Sequence, residues 1–262
     1  MAQPIGHRQK LGDSHAGQTG AVVFFSNPLM SDIQSDWSPI HDAAYNGHAL
    51  SLQKLIAQGA CVNLATLDRV SPLHVACLQG NTACAKMLID NGANLNSPTV
   101  EQTTALSEAC DLGHVACVTL LLQHGAVPQG SCLSDSPIHR AAAKGHLECI
   151  ETLAHHGADV NHNVDQSVSP LYTASTNQHL STVRRLLQLG ASVNSSENGE
   201  SPLHAAARSS SPELVSVLLD HGADCSSRNA QGKLPVDLAP PNSLVEKLLS
   251  QRGESTSLPH AS

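Results

Sequence analysis

Sixteen histidines and eight cysteines in 262 residues raise the prospect of a zinc or nucleophilic site. Zinc needs Cys or His ligands converging at close spacing, and the spacing here follows another rule. His41, His74, His139 and His204 each close an S-P-[LI]-H tetrapeptide, and His124, His156 and His221 each precede a Gly-Ala pair. The second set reads as helix C-termini, where a partly protonated imidazole suits the helix dipole. No two cysteines form a C-x-x-C pair. Cys84, Cys117 and Cys149 recur at one position of a repeating unit; Cys77 and Cys110 recur at another, where Ala44, Ala142 and Ala207 also stand. Positions that alternate Cys with Ala or Leu are small and buried, not ligating. Cys61, Cys132 and Cys225 fall near predicted turns. Asp220 and Asp224 flank a helix end as solvated charge. No G-x-S-x-G, Walker loop or dinucleotide fingerprint is present. The expectation is a protein that is not an enzyme and holds no cofactor and no metal.

Charge and composition narrow the partners. The chain carries 14 Lys plus Arg against 22 Asp plus Glu, a net charge of -8. Such a surface repels phosphate backbones, and aromatics at 2% leave little to stack on bases. Nucleic acid is therefore excluded as an expected partner. No apolar run approaches the ~18 residues of a membrane span. The apolar stretch Ala21–Phe25 is too short for the core of a secretory signal. A cytoplasmic location with reduced thiols is expected.

The elements that position these residues emerge from an internal repeat. S-P-[LI]-H starts at Ser38, Ser71, Ser136 and Ser201, with worn copies at Thr104-Ala105-Leu106-Ser107, Ser169-Pro170-Leu171-Tyr172 and Leu234-Pro235-Val236. Its second positions are 39, 72, 105, 137, 170, 202 and 235, at steps of 33, 33, 32, 33, 32 and 33. A Gly-Ala pair keeps the same beat at Gly59, Gly92, Gly125, Gly157, Gly190 and Gly222. Ser or Thr caps a helix and Pro fits its first turn, which predicts a short helix such as Ser71 to Gln79. Gly47, Gly80, Gly113 and Gly145 end that helix in a left-handed turn. A second helix such as His114 to His124 then runs to the Gly-Ala pair. Gln178 and Ser210 replace the turn glycine, so those two turns are expected to be strained or differently closed. Apolar residues at i, i+1, i+4, i+5 of the second helix, as in Cys117/Val118/Leu121/Leu122, form its core stripe. One helix pair cannot bury that stripe alone, so neighbours stack.

The 33-residue period with S/T-P-L-H and G-A-x-V-N resembles the ankyrin repeat over about Ser38 to Ser250. The resemblance implies an all-α fold: an ankyrin-repeat solenoid of helix pairs with short projecting hairpin turns. Residues 37–250 hold six full repeats and a shortened capping one. Residues 1–36 form a partly disordered extension, and 251–262 a disordered tail. The resemblance also implies that the S-P-L-H imidazole hydrogen-bonds locally and braces adjacent turns. Finger tips and first helices of such stacks face a groove that binds proteins. That marks Leu64, Leu67, Arg69, Val100, Glu101 and Leu133 as candidate contacts, the alternative being that the three leucines are ordinary surface residues.

A closer resemblance rests on Ser26-Asn27-Pro28-Leu29-Met30-Ser31-Asp32, Ser35-Asp36-Trp37-Ser38-Pro39 and Leu55-Ile56-Ala57-Gln58-Gly59-Ala60, with Arg228-Asn229-Ala230-Gln231-Gly232-Lys233 near the end. From about Phe24 to Gly253 the chain is similar to the ankyrin-repeat and SOCS-box family, above all to a member that binds creatine kinase. This implies a substrate-recognition component of an elongin/cullin E3 ubiquitin-protein ligase, directing target ubiquitination and proteasomal degradation. The stack holds a folded target, creatine kinase being the candidate, and a SOCS box recruits elongin B/C and a cullin. It also implies target contact by the segment before repeat one: Leu29 and Met30 as apolar anchors and Asp32 as a directed charge. The alternative is that Leu29 and Met30 cover the open end of repeat one beside Trp37. Nothing after Leu249 supplies the Leu-x-x-x-Cys helix and Leu-Pro motif of a SOCS box. The chain is thus expected to bind target without recruiting the ligase, or to serve as a ligase-independent scaffold or inhibitor.

Overall fold

A computed structural model describes residues 37–164, 168–196 and 199–256. Leu29, Met30 and Asp32 lie outside the described residues. The first helices of six repeats are α1 (Pro39–Tyr45), α3 (Pro72–Leu78), α5 (Ala105–Asp111), α7 (Pro137–Lys144), α9 (Pro170–Thr176) and α11 (Pro202–Arg208). The second helices are α2 (Ala49–Ala57), α4 (Thr82–Asp90), α6 (Val115–Gln123), α8 (Leu147–His155), α10 (Leu180–Gln188) and α12 (Pro212–Asp220). A shortened seventh unit holds α13 (Pro235–Leu238) and α14 (Leu244–Thr256). The fold is all-α, and the pairing of helices follows the repeat.

Each first helix starts as its sequence dictates. Ser or Thr is the cap and Pro opens the first turn in all but repeat three, where Thr104 caps and Ala105 follows. First helices pack on first helices and second on second, and the first helices sit closer together, so residues 37–256 curve toward them. Between the layers lies a continuous core. Leu88, Leu121, Leu153, Leu186 and Leu218 occupy one recurring position and are fully buried. Each contributes roughly 1.5–3 kcal/mol by leaving water. In repeat one the expected stripe is looser: Ser51 is exposed and Leu55 and Ile56 are half-buried. Its described neighbours stack on one side only, with Trp37 against His41 (5.3 Å between ring centres) and Tyr45 (5.9 Å) at the other.

The far end differs from the expected boundary at Ser250. Helix α14 continues to Thr256, seating Val245 and Leu249 in the core. Arg252 on that helix reaches Asp220 of α12 at 2.9 Å, so Asp220 is an ion-pair partner and not simply solvated charge. No described helix is long and apolar enough to cross a membrane.

Candidate protein-binding surface

The histidines that close S-P-[LI]-H turn out to be braces. In repeats one, two, four and six the Nε2–H of His41, His74, His139 and His204 donates to a carbonyl in the next finger: Val70 (3.0 Å), Ser97 (2.9 Å), Val168 (3.1 Å) and Lys233 (3.2 Å). With Nε2 protonated, Nδ1 is an acceptor, and the capping hydroxyls of Ser38, Ser71, Ser136 and Ser201 donate to it at 2.7–2.8 Å. Burial pushes the His74 imidazole below its ordinary pKa.

Sequence reasoning missed a second set of braces. The Nε2–H of His114, His146 and His179 donates back to the carbonyls of Leu78 (3.1 Å), Asp111 (3.0 Å) and Ala143 (2.9 Å). Asn81 does the same in repeat two, to Ala44 and Tyr45. These carbonyls end first helices and lack intrahelical partners. The signal was present as Gly-His at 113–114 and 145–146 and as Gln-His at 178–179. The third set, His124, His156 and His221, satisfies last-turn carbonyls four residues back at 2.8–2.9 Å.

The expected cysteine columns are buried at Cys77, Cys84, Cys110, Cys117 and Cys149. Four of them also pair across repeats, Cys77 with Cys117 and Cys110 with Cys149. A hydrogen bond to Cys117 pushes the Cys77 thiol well up, and the same bond draws Cys117 down to about 7. Cys149 is lowered likewise by Cys110. Sealed from solvent, these thiols serve packing.

The predicted contact residues lie on the fingers. The first finger closes with Thr66 N–H to Val70 O (3.0 Å) and the second with Thr99 N–H to Thr103 O (2.9 Å). Val100 N–H donates to Asp68 O at 2.9 Å, tying one tip to the next. This brings Leu67 and Arg69 beside Val100 and Glu101, and Leu67 is 78% and Val100 52% exposed. Arg69 and Gln102 sit at left-handed φ of 59° and 64°, which turn the tips over. Leu64 stands lower on the first finger, and Leu133 belongs to the third, apart from this group.

That third finger folds differently. Asp135 accepts from Cys132 N–H (2.8 Å) and from the Ser131 hydroxyl (2.9 Å). Burial works to raise its pKa, but these bonds prevail and hold the carboxyl below its ordinary value. The loop comes back so tightly that a Cβ on Gly130 would lie 2.3 Å from Asp135 Oδ1. Beneath it opens a hollow of about 480 Å³, lined among others by Leu133, Ala143, Lys144, Val168, Tyr172 and Thr176. Arg140 borders it, held by Asp111 (3.3 Å) and Glu108 (3.7 Å) of the preceding repeat. A larger hollow of about 620 Å³ lies on the second helices, but its charged groups, Glu151 and Arg185, already neutralise one another at 2.8 Å.

Repeats three and five lack the finger-reaching histidine. Ser107 stays local, exchanging bonds with Thr104. The Tyr172 hydroxyl instead donates to Glu200 Oε2 at 3.2 Å. Glu200 also accepts from Asn229 at 3.3 Å and from both terminal nitrogens of Arg208. One carboxylate thus joins units five, six and seven. Burial tends to raise its pKa, but Arg208 and its neighbours hold it below the ordinary carboxylate value.

Residues 16–99, 96–164 and 138–229 match the ankyrin-repeat family (3 copies). The chain is 55% identical over 238 residues to Ankyrin repeat and SOCS box protein 9 of Mus musculus, covering 90% of this chain and 82% of that protein. It is 51% identical over 223 residues to Ankyrin repeat and SOCS box protein 11 of Homo sapiens, covering 85% and 69%. Among solved structures it is similar to the human ASB11 ankyrin repeat domain, with a TM-score of 0.79 and 48% identity over 86% of this chain and 100% of that one. It is also similar to the ankyrin repeat domain of Bcl-3, with a TM-score of 0.71 and 27% identity over 83% and 100%.

Proposed function

The chain belongs to the ankyrin-repeat and SOCS-box family, and from that premise we propose that it is the target-holding part of an elongin/cullin E3 ubiquitin ligase, with creatine kinase as the target. It works by binding, without chemistry of its own, in the cytoplasm. The observation that supports this most is the pair of joined finger tips. Leu67 and Val100 are exposed on adjoining tips, whereas the aliphatics at the recurring core position of the second helices, Leu88, Leu121, Leu153, Leu186 and Leu218, are fully buried. Arg69 and Glu101 stand beside them, so the tips offer apolar anchors rimmed by charge, the composition of a protein-binding hot spot.

Residues 1–36 are proposed to contribute as well, through Leu29, Met30 and Asp32. Deleting residues 1–36 is expected to weaken capture of purified creatine kinase at least tenfold, about 1.4 kcal/mol, with the circular dichroism of the stack unchanged. Replacing Leu67 and Val100 with Asp is expected to do the same. Recruitment belongs to the SOCS box of the family, so elongin B/C is not expected to co-purify with residues 1–262. Unchanged affinity in both variants would refute target binding through these surfaces. Capture of elongin B/C by residues 1–262 would place recruitment within the repeats, and capture of a target whose level in cells does not depend on the ligase would favour the scaffold or inhibitor reading.

A further inference from the structure

The hollow beneath the third finger exists because two repeats depart from the pattern around it. At the seventh place of the first helix the six repeats carry Tyr45, Leu78, Asp111, Ala143, Thr176 and Arg208. Large or charged side chains fill that place in four repeats. Ala143 and Thr176 are small, they are consecutive, and the hollow opens between them. Its walls are chemically mixed. Leu133, Val168, Ala143 and the Tyr172 ring give apolar surface, and Thr176 adds a hydroxyl. Two cations border it in different states. Arg140 is already engaged by Glu108 and Asp111. Lys144 is exposed and makes no ion pair among the described residues.

We propose that this hollow takes an apolar side chain of the partner protein, with a carboxylate next to it in the partner's chain set against Lys144. The proposal rests on the reading of this chain as a target-holding module and names the chemistry one part of it selects. A volume of about 480 Å³ lies within the range of pockets that enclose a small ligand, and here it suits one large side chain with its backbone. The lysine can lie along apolar surface with its ammonium in water at the rim. A carboxylate placed there gains a charge-assisted hydrogen bond in a partly dry setting. Arg140 is turned toward the carboxylates of Glu108 and Asp111, the latter also lining the hollow, so the Lys144 ammonium is the one cation there set against no described carboxylate, and a single positive charge matches a carboxylate and not a dianionic phosphate.

Small probes carry both halves of this chemistry. ¹⁵N-labelled protein is titrated with 4-phenylbutyrate and with the neutral 4-phenylbutan-1-ol. Amide shifts are expected to centre on Leu133, Ala143, Lys144, Val168 and Thr176, with the carboxylate binding at least fivefold tighter than the alcohol. Lys144→Gln is expected to erase that preference and leave the alcohol's affinity as it was. Thr176→Arg restores the bulk found at Arg208 and is expected to block both probes; Thr176 is exposed, so the fold tolerates it. Equal binding of acid and alcohol, shifts elsewhere, or no shift at millimolar probe would overturn the proposal. These probes contain no target protein, so their failure leaves the target-holding reading to its own test. Where a target is captured, Thr176→Arg is expected to weaken it at least fivefold, and unchanged affinity would overturn the assignment of the hollow to that target.

Discussion

At His74 the fold is coupled to acidity. Its Nδ1 accepts from both the Ser71 hydroxyl (2.8 Å) and the Ser71 N–H (3.2 Å), so a second ring proton would face two donors. Burial holds its pKa below the ordinary 6.5, so near that pH the unfolded chain binds the proton and the folded one does not. Stability is therefore full above pH 6.5 and falls as pH drops through 6.5 toward the folded value, by at most about 1.4 kcal/mol per pH unit for this one group. Urea unfolding of wild type and His74→Gln between pH 7.5 and ~5 checks it: the variant should be less stable at neutral pH yet lose less on acidification. A parallel decline in both would show that His74 is not the titrating group. The bracing role was legible through the ankyrin resemblance, because His closes Ser-Pro-Leu twice and Ser-Pro-Ile twice. The partner of each brace was not, because it is a backbone carbonyl, which every residue carries.

The turns between first and second helices were legible as glycines, and the structure supplies the reason for the two exceptions. A Cβ on Gly113 would lie 2.7 Å from His146 Nδ1 of the next repeat, and φ there is 75°. Gly80 and Gly145 meet His114 and His179 in the same way. By the same register the residue opposite Gln178 is Ser211, which is small, so a side chain fits at φ 59° although the backbone remains strained. Ser210, at φ 56°, precedes the shortened unit. Opposite effects follow. Gln178→Gly and Ser210→Gly should each stabilise by about 0.5–1 kcal/mol, relief of the left-handed strain exceeding the entropy cost of glycine. Gly113→Ala should destabilise by about 1–3 kcal/mol. Thermal melts of the three variants decide, and a stabilising Gly113→Ala would mean His146 moves aside freely. The fingers were less legible. Their lengths follow from the repeat, but the inward fold of the third depends on Asp135 and Gly130 meeting in space, and the hollow beneath depends on two small side chains in different helices.

Across the whole stack the stability resides in contacts between neighbours. Leu121 sits at the centre of the core and is fully buried. Leu121→Ala should cost roughly 2–5 kcal/mol, and native-state hydrogen exchange should quicken first in the amides of repeats two to four. A loss below ~1 kcal/mol would mean the site collapses around the gap or the core face lies elsewhere. The architecture was legible almost entirely, because two markers in step over six copies specify both the unit and its stacking. What the period cannot carry is any feature that breaks it, and the hollow, the third finger and the Glu200 junction are all such features.

The acceptors at the repeat junctions also decide which parts of the chain are interchangeable. Where a brace ends on a main-chain oxygen, as at His41, His74, His114 and His146, the receiving unit need supply nothing particular, so one such unit can be exchanged for another with its junctions intact. Earlier junctions add ion pairs, Arg140 with Asp111 and Arg185 with Glu151, but only in units five, six and seven do four side chains, Tyr172, Glu200, Arg208 and Asn229, meet at one carboxylate among the described residues. A graft that separates Tyr172 from Glu200 strands a half-buried carboxylate against fewer donors. Chimeras cut before Ser169 lose only the part-exposed Arg185–Glu151 pair and should still assemble, and those cut between Tyr172 and Glu200 should be the fragile ones.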